Sequence, residues 1–274
     1  MPMSPSLSVL AATWAIAGWT AAVAQTPIQP DGVPAIALII DDMGYGGRDG
    51  ERALALPGAL TYSFLPHTPA AYVQSRRAAA LGKDVLLHLP MEAETGNSQL
   101  GPGAVILGMT REQVLETLNS NFASVPDAIG INNHMGSLLT AEREPMHWVM
   151  AALKQRGNLM YVDSRTTART VAAAVARDEQ VPFLSRDVFL DNEPGIDYVR
   201  SQFHFLIETA KQNRAALAIG HPQPNTLKVL EEGLPNLDRF GVRLVRLPEL
   251  LTLQQRSTRP WQLSSSHSPK AVRN

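Results

Sequence analysis

Aspartate or histidine side chains follow apolar segments of this sequence at five places where a β-strand is expected to end. These side chains are Asp41 with Asp42, His88, His134, Asp163 and His221. If the segments are parallel strands, their carboxyl ends meet at one edge of the sheet, so the five positions share one face. Carboxylate and imidazole groups collected there can bind a divalent metal and transfer protons. The pattern therefore predicts the catalytic face of an enzyme.

Asp42, His88 and His134 are the candidate metal ligands. Neutral imidazole and carboxylate are the usual ligands of a catalytic zinc-like site, which keeps positions open for water and substrate. A lone histidine at a strand end is more often structural, but several histidines at different strand ends favour a metal site. Glu92 lies four residues after His88 and is a further candidate, although the intervening Pro90 predicts a loop there.

Two groups of acidic residues allow both a catalytic and a structural interpretation. Asp41 and Asp42 repel each other unless a cation or hydrogen bonds relieve the repulsion, yet paired acids are also common in solvated turns. Asp187 and Asp191 lie close to Arg186 in the sequence. Either they tune a catalytic site through this arginine, or an Asp–Arg salt bridge only stabilises the strand.

Three further residues are candidates for contacts at the same face. Asp163 begins the segment Asp-Ser-Arg-Thr-Thr, and it either binds substrate hydroxyls or caps the helix expected near Thr166. Asn133 precedes His134 and is a candidate for substrate binding. His67 follows the second predicted strand and is a possible residue of the catalytic face only.

Strands and helices are expected to alternate along the chain. Strands are predicted at residues 35–40, 60–65, 84–89, 128–133, 158–163, 183–190, 215–220 and 242–247. Helices are predicted at residues 69–81, 111–123, 143–156, 166–177, 196–213 and 225–239. This alternation predicts a distorted (β/α) barrel of seven to eight mostly parallel strands. The glycine-rich segment Met91 to Met109 is expected to lie over the catalytic face.

Composition narrows the class of function. A chain of 274 residues with 45% hydrophobic residues suits one large α/β domain. The net charge of -1 provides no general basic surface for nucleic acid. Because cysteine is absent, disulfides, thiolate metal sites and cysteine nucleophiles are excluded. No phosphate-binding Gly-Lys-Ser/Thr loop, Gly-x-Ser-x-Gly elbow or dinucleotide-binding glycine motif is present.

The ends of the chain differ in composition from its centre. The predicted parts are a signal peptide over 1–24, a Pro-rich linker over 25–34, a barrel domain over 35–255 and a disordered tail over 256–274. The small residues Ala22-Val23-Ala24 fit a signal peptidase site, so export to a periplasm is expected. No lysine or arginine precedes the apolar run, which leaves an uncleaved anchor as the alternative and the only expected membrane contact.

The motifs together resemble the polysaccharide deacetylase superfamily, and more closely its divergent exported bacterial branch. The resemblance covers residues 35–251. Ile39-Ile40-Asp41-Asp42 is similar to the family's first motif, and Ile219-Gly220-His221 is similar to its last. The segments His-Leu-Pro-Met-Glu, beginning at His88, and Asn-Asn-His-Met-Gly-Ser, beginning at Asn132, are typical of the divergent branch.

The resemblance implies a role for each residue of these motifs. Asp41 is implied as general base and His221 as general acid. Asp42, His88 and His134 are implied as ligands of a divalent metal, expected to be zinc. The family's metal motif has a second histidine where this chain has Glu92, and its Arg-x-Pro motif has no counterpart here.

The implied activity is deacetylation of an N-acetylated carbohydrate or cell-wall glycan in the bacterial envelope. A catalytically silent periplasmic glycan-binding or scaffold protein on the same barrel is one alternative. A metal-dependent amidase that cleaves another cell-wall amide is a second.

Overall fold

The structure is a computed structural model that describes Met1 and residues 32–157 and 159–257. Residues 2–24 of the predicted signal peptide, residues 25–31 of the predicted linker and the predicted tail beyond residue 257 lie outside these ranges. The first strand begins at Ala35 and the last helix ends at Ser257. Within the described residues, no helix combines the length and apolar character needed to cross a membrane.

The strands of the described chain form one sheet in which every pairing is parallel. The strands are β1 Ala35–Met43, β2 Thr61–Phe64, β3 Asp84–Met91, β4 Gly130–Met135, β5 Met160–Asp163, β6 Phe183–Ser185, β7 Val188–Phe189, β8 Ala215–Gly220 and β9 Arg243–Leu244. Their order across the sheet is β6-β5-β4-β3-β2-β1-β8-β7, and β9 pairs with β1. Parallel strands bring all the carboxyl ends to one edge, as the sequence pattern predicts.

The two edge strands of this sheet, β6 and β7, are consecutive in the chain. The sequence predicts a single strand at 183–190, but the structure divides it because the chain changes partners. Arg186 donates its backbone N–H to the Asp163 carbonyl, and Asp187 donates its own to the Leu217 carbonyl. The sheet is therefore curled, and the short segment 183–189 connects its two edges. This confirms the predicted distorted parallel barrel.

Helices connect most of the strands. They are α1 Gly47–Ala55, α2 Ala71–Ala80, α3 Arg111–Ser124, α4 Arg143–Gln155, α5 Ala172–Glu179, α6 Ile196–Asn213, α7 Pro224–Gly233, α8 Leu237–Phe240 and α9 Leu247–Ser257. The sequence patterns did not predict α1 and α9. α3 begins with a capping box, since the Thr110 hydroxyl accepts the Gln113 N–H while the Gln113 side chain accepts the Thr110 N–H. The helix predicted at 166–177 begins only at Ala172, after a turn.

Alternate residues of the strands contribute to two separate apolar clusters, because successive side chains point to opposite sheet faces. One cluster joins the sheet to the helices α1 to α7. The other joins strand residues to α9 and includes Ala35, Ala37, Ile39, Leu86, Met160, Val162, Leu217 and Ile219. Two residues after Ile39, Leu86 and Ile219 of this second cluster come Asp41, His88 and His221, which therefore share the same sheet face. The strands therefore direct these three side chains to the face enclosed by the curled sheet.

Candidate metal and catalytic site

Three side chains with metal-ligand atoms meet at the carboxyl ends of β1, β3 and β4. Asp42 Oδ1 lies 3.3 Å from His88 Nε2 and 3.1 Å from His134 Nδ1. The ligand atoms all lie within 4.8 Å of one another, and this is the one such group among the described residues. The structure therefore brings the three predicted ligands together.

The geometry of this group fits a divalent cation. Asp42 Oδ1 is buried and accepts no hydrogen bond from the described residues. Ligand atoms held tetrahedrally at about 2.0–2.1 Å from zinc lie about 3.3 Å apart, close to the separations observed here. Burial raises the pKa of Asp42, but contacts with His134 and His88 outweigh burial and lower it. An ionised carboxylate oxygen that faces two imidazole nitrogens is a ligand set for zinc or a similar ion.

Both carboxylates of the Asp41–Asp42 pair reach the site, although neighbours in a regular strand point to opposite faces. The pairing of β1 with β2 shifts register between Ile40 and Met43. Within this irregular stretch, Asp42 has a left-handed backbone with a φ of 55°. Asp41 keeps the alternation of the strand, and its Oδ2 lies 3.6 Å from His88 Nε2. The irregular strand end therefore supplies a ligand and a second carboxylate from consecutive residues.

Asn132 connects Asp41 to His88 through its side-chain amide. The amide oxygen lies 2.9 Å from His88 Nδ1 and also accepts the Ser63 hydroxyl. The amide nitrogen donates to both Asp41 oxygens, at 2.8 and 3.0 Å. A proton on His88 Nδ1 leaves its Nε2 lone pair directed at the ligand group. Burial raises the pKa of Asp41 by more than the neighbouring imidazoles and this amide lower it.

His134 is oriented from the loop that follows β3. Its Nδ1 faces Asp42, and its Nε2 lies 3.4 Å from the backbone carbonyl of Gln99. A carbonyl that accepts the second ring N–H sets the orientation of a ligating histidine. The glycine-rich segment between Met91 and Met109 therefore contributes to the site, as expected from its position in the sequence.

His221 is paired with Asp191 beside the ligand group. Its Nδ1 lies 3.0 Å from Asp191 Oδ1, and its backbone N–H donates to Oδ2 of the same carboxylate at 2.7 Å. Thr226 donates its hydroxyl to Oδ2 as well, at 2.7 Å. Burial lowers the pKa of His221, but Asp191 together with the charges of Asp42 and Asp41 more than offsets burial, and the pKa rises to about 9. Asp191 thus contacts His221 directly, without the predicted intermediary Arg186.

Glu92 and Asn133 hold loops in place. Glu92 Oε2 accepts the backbone N–H of Leu107 at 2.6 Å, so this carboxylate points away from the ligand group. The loop predicted at Pro90 is wrong, because β3 continues through this residue. Asn133 lines the cavity beside the site, yet its amide oxygen accepts the backbone N–H of Ser164 at 2.9 Å.

Asp163 and Asp187 also bind backbone groups. Asp163 accepts the backbone N–H of Arg165 at 2.7 Å and the Thr170 hydroxyl at 2.9 Å, so it caps a turn and not the helix predicted at this point. Burial raises the pKa of Asp163. Asp187 accepts the backbone N–H of Leu217 at 2.8 Å, which extends the pairing with β8. Both residues are therefore structural, but not in the predicted way: Asp163 caps a turn that precedes the helix, and Asp187 binds a backbone N–H in place of the predicted salt bridge with Arg186.

A cavity of about 400 Å³ opens beside the ligand group. Its lining includes Asp41, His88, His134, Arg186 and His221. His67 lies at a different cavity of about 380 Å³, next to α3. The cavity therefore adjoins three candidate metal ligands, a buried carboxylate and a histidine with a raised pKa, which are groups that can hydrolyse an amide.

The sequence of this chain is similar to those of known proteins. Residues 38–251 match the sequence pattern of a family described as divergent polysaccharide deacetylase. The chain belongs to the divergent polysaccharide deacetylase family. An uncharacterized protein of Haemophilus influenzae is 38% identical over 215 residues, which are 78% of this chain and 76% of that protein. The resemblance to the divergent branch is confirmed.

Solved structures share the fold of this chain. The uncharacterized protein ATU2773 from Agrobacterium tumefaciens has a TM-score of 0.77 at 20% identity, covering 82% of this chain and 92% of that chain. The peptidoglycan deacetylase PdaC from Bacillus subtilis has a TM-score of 0.51 at 12% identity, covering 86% and 98%. These structures show that the divergent family and a deacetylase have the same curled parallel barrel.

Proposed function

We propose that this protein is a metal-dependent hydrolase that removes N-acetyl groups from a carbohydrate of the bacterial envelope. The supporting observation is the grouping of Asp42, His88 and His134 beside a cavity lined by Asp41 and His221. Membership of the divergent polysaccharide deacetylase family supports a carbohydrate substrate. Zinc is the proposed metal, because imidazole and carboxylate groups are its usual ligands in catalytic sites with open positions.

The chain supplies both groups that transfer protons in the proposed reaction. When bound, a divalent cation provides Lewis acidity for the acetyl carbonyl and for the attacking water. Asp41 takes a proton from the water as the water oxygen bonds to the carbonyl carbon. The raised pKa of the Asp41 carboxylate makes it a stronger base. His221, whose pKa of about 9 keeps it protonated at neutral pH, donates a proton to the nitrogen as the C–N bond breaks. The products are acetate and a free amine.

Export to a periplasm belongs to the proposal and rests on the sequence. The apolar run Leu7–Ala24 ends in small residues that fit a cleavage site. A glycan of the cell envelope is accessible in that compartment. Analysis of the mature amino terminus after expression in a bacterium with a periplasm tests this part, and retention of Met1 in a cytoplasmic fraction would contradict it.

Metal content and acetate release test the proposed reaction on one purified sample. Elemental analysis is expected to give about one zinc per chain. Acetate release from chitooligosaccharides or peptidoglycan is expected to stop on chelation and to return when zinc is added. Bound metal without acetate release from any N-acetylated glycan would favour the glycan-binding alternative. Release of an amine without acetate would favour the amidase.

A further inference from the structure

Two arginines line the cavity beside the candidate catalytic groups without forming an ion pair. Arg165 and Arg186 both contribute to its wall, and both also line an adjoining cavity of about 410 Å³. Among the described residues, neither guanidinium has a carboxylate oxygen within 4.0 Å. Other arginines of the barrel surface, such as Arg76 and Arg143, do pair with an aspartate.

Arg186 is held in one orientation by the backbone around it. Its Nε donates to the carbonyl of Ser164 at 2.7 Å, and its Nη2 donates to the carbonyl of Arg165 at 3.1 Å. The guanidinium carbon lies 4.8 Å from the centre of the Phe189 ring. These contacts use two of the five N–H groups of the guanidinium and fix its plane. The other three N–H groups remain available to donate hydrogen bonds to a ligand.

Arg165 is brought to the cavity by a strained turn. Its backbone has a φ of 53°, a left-handed conformation that is unusual for a residue other than glycine. Asp163 stabilises the turn, because one carboxylate oxygen accepts the Arg165 N–H and the other accepts the Thr170 hydroxyl. The Asp163 carboxylate is thus used by the turn and does not contact the Arg165 guanidinium.

The carboxylates near the two arginines form no ion pair with either guanidinium. Burial lowers the pKa of Arg186, and the positive charge of Arg165 lowers it further, while Asp163, Asp41 and Asp187 act in the other direction. The oxygens of Asp41 accept hydrogen bonds from an asparagine amide, and Asp187 binds a backbone N–H. A bound anion would relieve the repulsion between the two cations directly.

We propose that Arg165 and Arg186 form a subsite for an oxyanion carried by the substrate, a carboxylate or a phosphate close to the N-acetyl group. This inference rests on the proposed function, which places the acetyl group at the ligands beside the same cavity. Arginine forks recognise carboxylate and phosphate through paired hydrogen bonds. An acidic N-acetyl sugar would satisfy the subsite, whereas a neutral chitin-like chain would leave both cations without a partner.

Calorimetric titration of the full chain with matched sugars tests the subsite. The probes are N-acetylglucosamine, which is neutral, N-acetylmuramic acid, which adds a carboxylate, and N-acetylglucosamine 6-phosphate. The wild-type protein is expected to bind at least one acidic probe about tenfold or more tightly than the neutral probe, as expected for a charge-assisted hydrogen bond. The acidic probe that binds more tightly identifies the source of the oxyanion.

Charge-removing variants assign the preference to these residues. In Arg165→Gln and in Arg186→Gln, the ratio of acidic to neutral affinity is expected to fall towards one. Arg177→Gln removes the same charge from an exposed position on α5 and is expected to keep the wild-type ratio. Arg165→Gln carries the test even if Arg186→Gln unfolds, because the Arg165 guanidinium forms no hydrogen bond among the described residues. An unchanged ratio in Arg165→Gln would overturn the proposal.

Failure of the subsite and failure of the proposed reaction give different results. A charge preference that depends on Arg165, without acetate release from any probe, supports the subsite and overturns the reaction. Acetate release with equal affinity for acidic and neutral probes supports the reaction and overturns the subsite.

Discussion

Asn132 holds the proposed base and one metal ligand in a single arrangement. Its amide has only one orientation that satisfies its neighbours, since the nitrogen must donate to the Asp41 carboxylate and the oxygen must accept from His88. The amide is fully buried, so water cannot replace either bond. Asn132 therefore acts through Asp41 and His88 and is a positioning residue of the site.

Removal of the Asn132 side chain is expected to weaken metal binding. Asn132→Ala frees His88 Nδ1, and loss of such a partner lowers metal affinity about 10–100-fold. Metal affinity is measured by competition with a chromophoric chelator. Asn119→Ala removes an exposed amide on α3 and is expected to keep wild-type affinity. Equal affinities in the two variants would show that Asn132 does not orient His88.

Variants at Asp41 and His134 are expected to distinguish loss of catalysis from loss of metal binding. Asp41→Asn keeps the size of the side chain but removes the base, so acetate release is expected to fall about 10²–10⁴-fold while zinc content stays near the wild-type value. His134→Ala removes a ligand and is expected to lower zinc content in the same elemental analysis. Loss of zinc from Asp41→Asn would make Asp41 a ligand, and full zinc in His134→Ala would exclude His134 as one.

At the scale of the strand, side-chain alternation determines which polar residues enter the site. Asn132 follows Gly130 by two residues on β4 and shares the enclosed face with His134, whereas Asn133 shares a face with Ile131 on the helix side. Asp163 follows Tyr161 in the same way and also points to the helix side. Sequence patterns predict the strand ends but not this choice, because both faces of these strands are apolar and no hydropathy alternation is visible.

The irregular end of β1 is the second feature that sequence patterns do not show. The neighbours Asp41 and Asp42 are expected to diverge along a regular strand. The register shift and the left-handed φ of Asp42 depend on pairing with β2, a contact between distant segments that the local sequence does not encode. The grouping of the candidate ligands His88 and His134 was predictable because each histidine follows the apolar run of its own strand.

The loop after β3 is expected to influence the metal site through Glu92. Its carboxylate holds the Leu107 N–H, and the same loop places the Gln99 carbonyl against His134. Glu92→Ala releases the loop and is expected to lower zinc affinity about tenfold, the lower end of the effect of a lost outer contact. The same chelator competition measures this change.

Glu92→Gln distinguishes the loop contact from metal ligation. Glutamine keeps a carbonyl oxygen for the Leu107 N–H but is a poor metal ligand. We expect nearly wild-type zinc affinity in Glu92→Gln. An equally large loss in Glu92→Gln and Glu92→Ala would instead identify the carboxylate as a ligand.

Across the whole molecule, the two ends of the barrel have different roles. The carboxyl ends of the strands hold the candidate site, while the amino ends are joined to α9 by Asp84. This buried carboxylate accepts hydrogen bonds from the Arg246 guanidinium and, at 3.0 Å, from the backbone N–H of Leu247. In barrels of this kind, interactions at the amino ends contribute to stability and those at the carboxyl ends to function.

Asp84→Ala is therefore expected to lower stability without changing the site. The variant leaves the buried Leu247 N–H without an acceptor and breaks charge-assisted hydrogen bonds, so the free energy of unfolding is expected to fall by about 2–4 kcal/mol. Urea unfolding measures this loss as a lower midpoint with an unchanged m-value. Zinc affinity of the folded protein is expected to stay the same, since Asp84 is the first residue of β3 and contacts α9, whereas His88 lies further along the strand.

Asp178→Ala is the matched control, because it breaks an exposed ion pair with Arg143. Its cost is expected to stay below about 1 kcal/mol, since solvent screens such pairs. An equally small cost in Asp84→Ala would show that the joint with α9 adds nothing to stability. A loss of zinc affinity in folded Asp84→Ala would show instead that the two ends of the barrel are coupled. If the contacts of Asp84 with α9 are purely local, removing them does not move the candidate ligands.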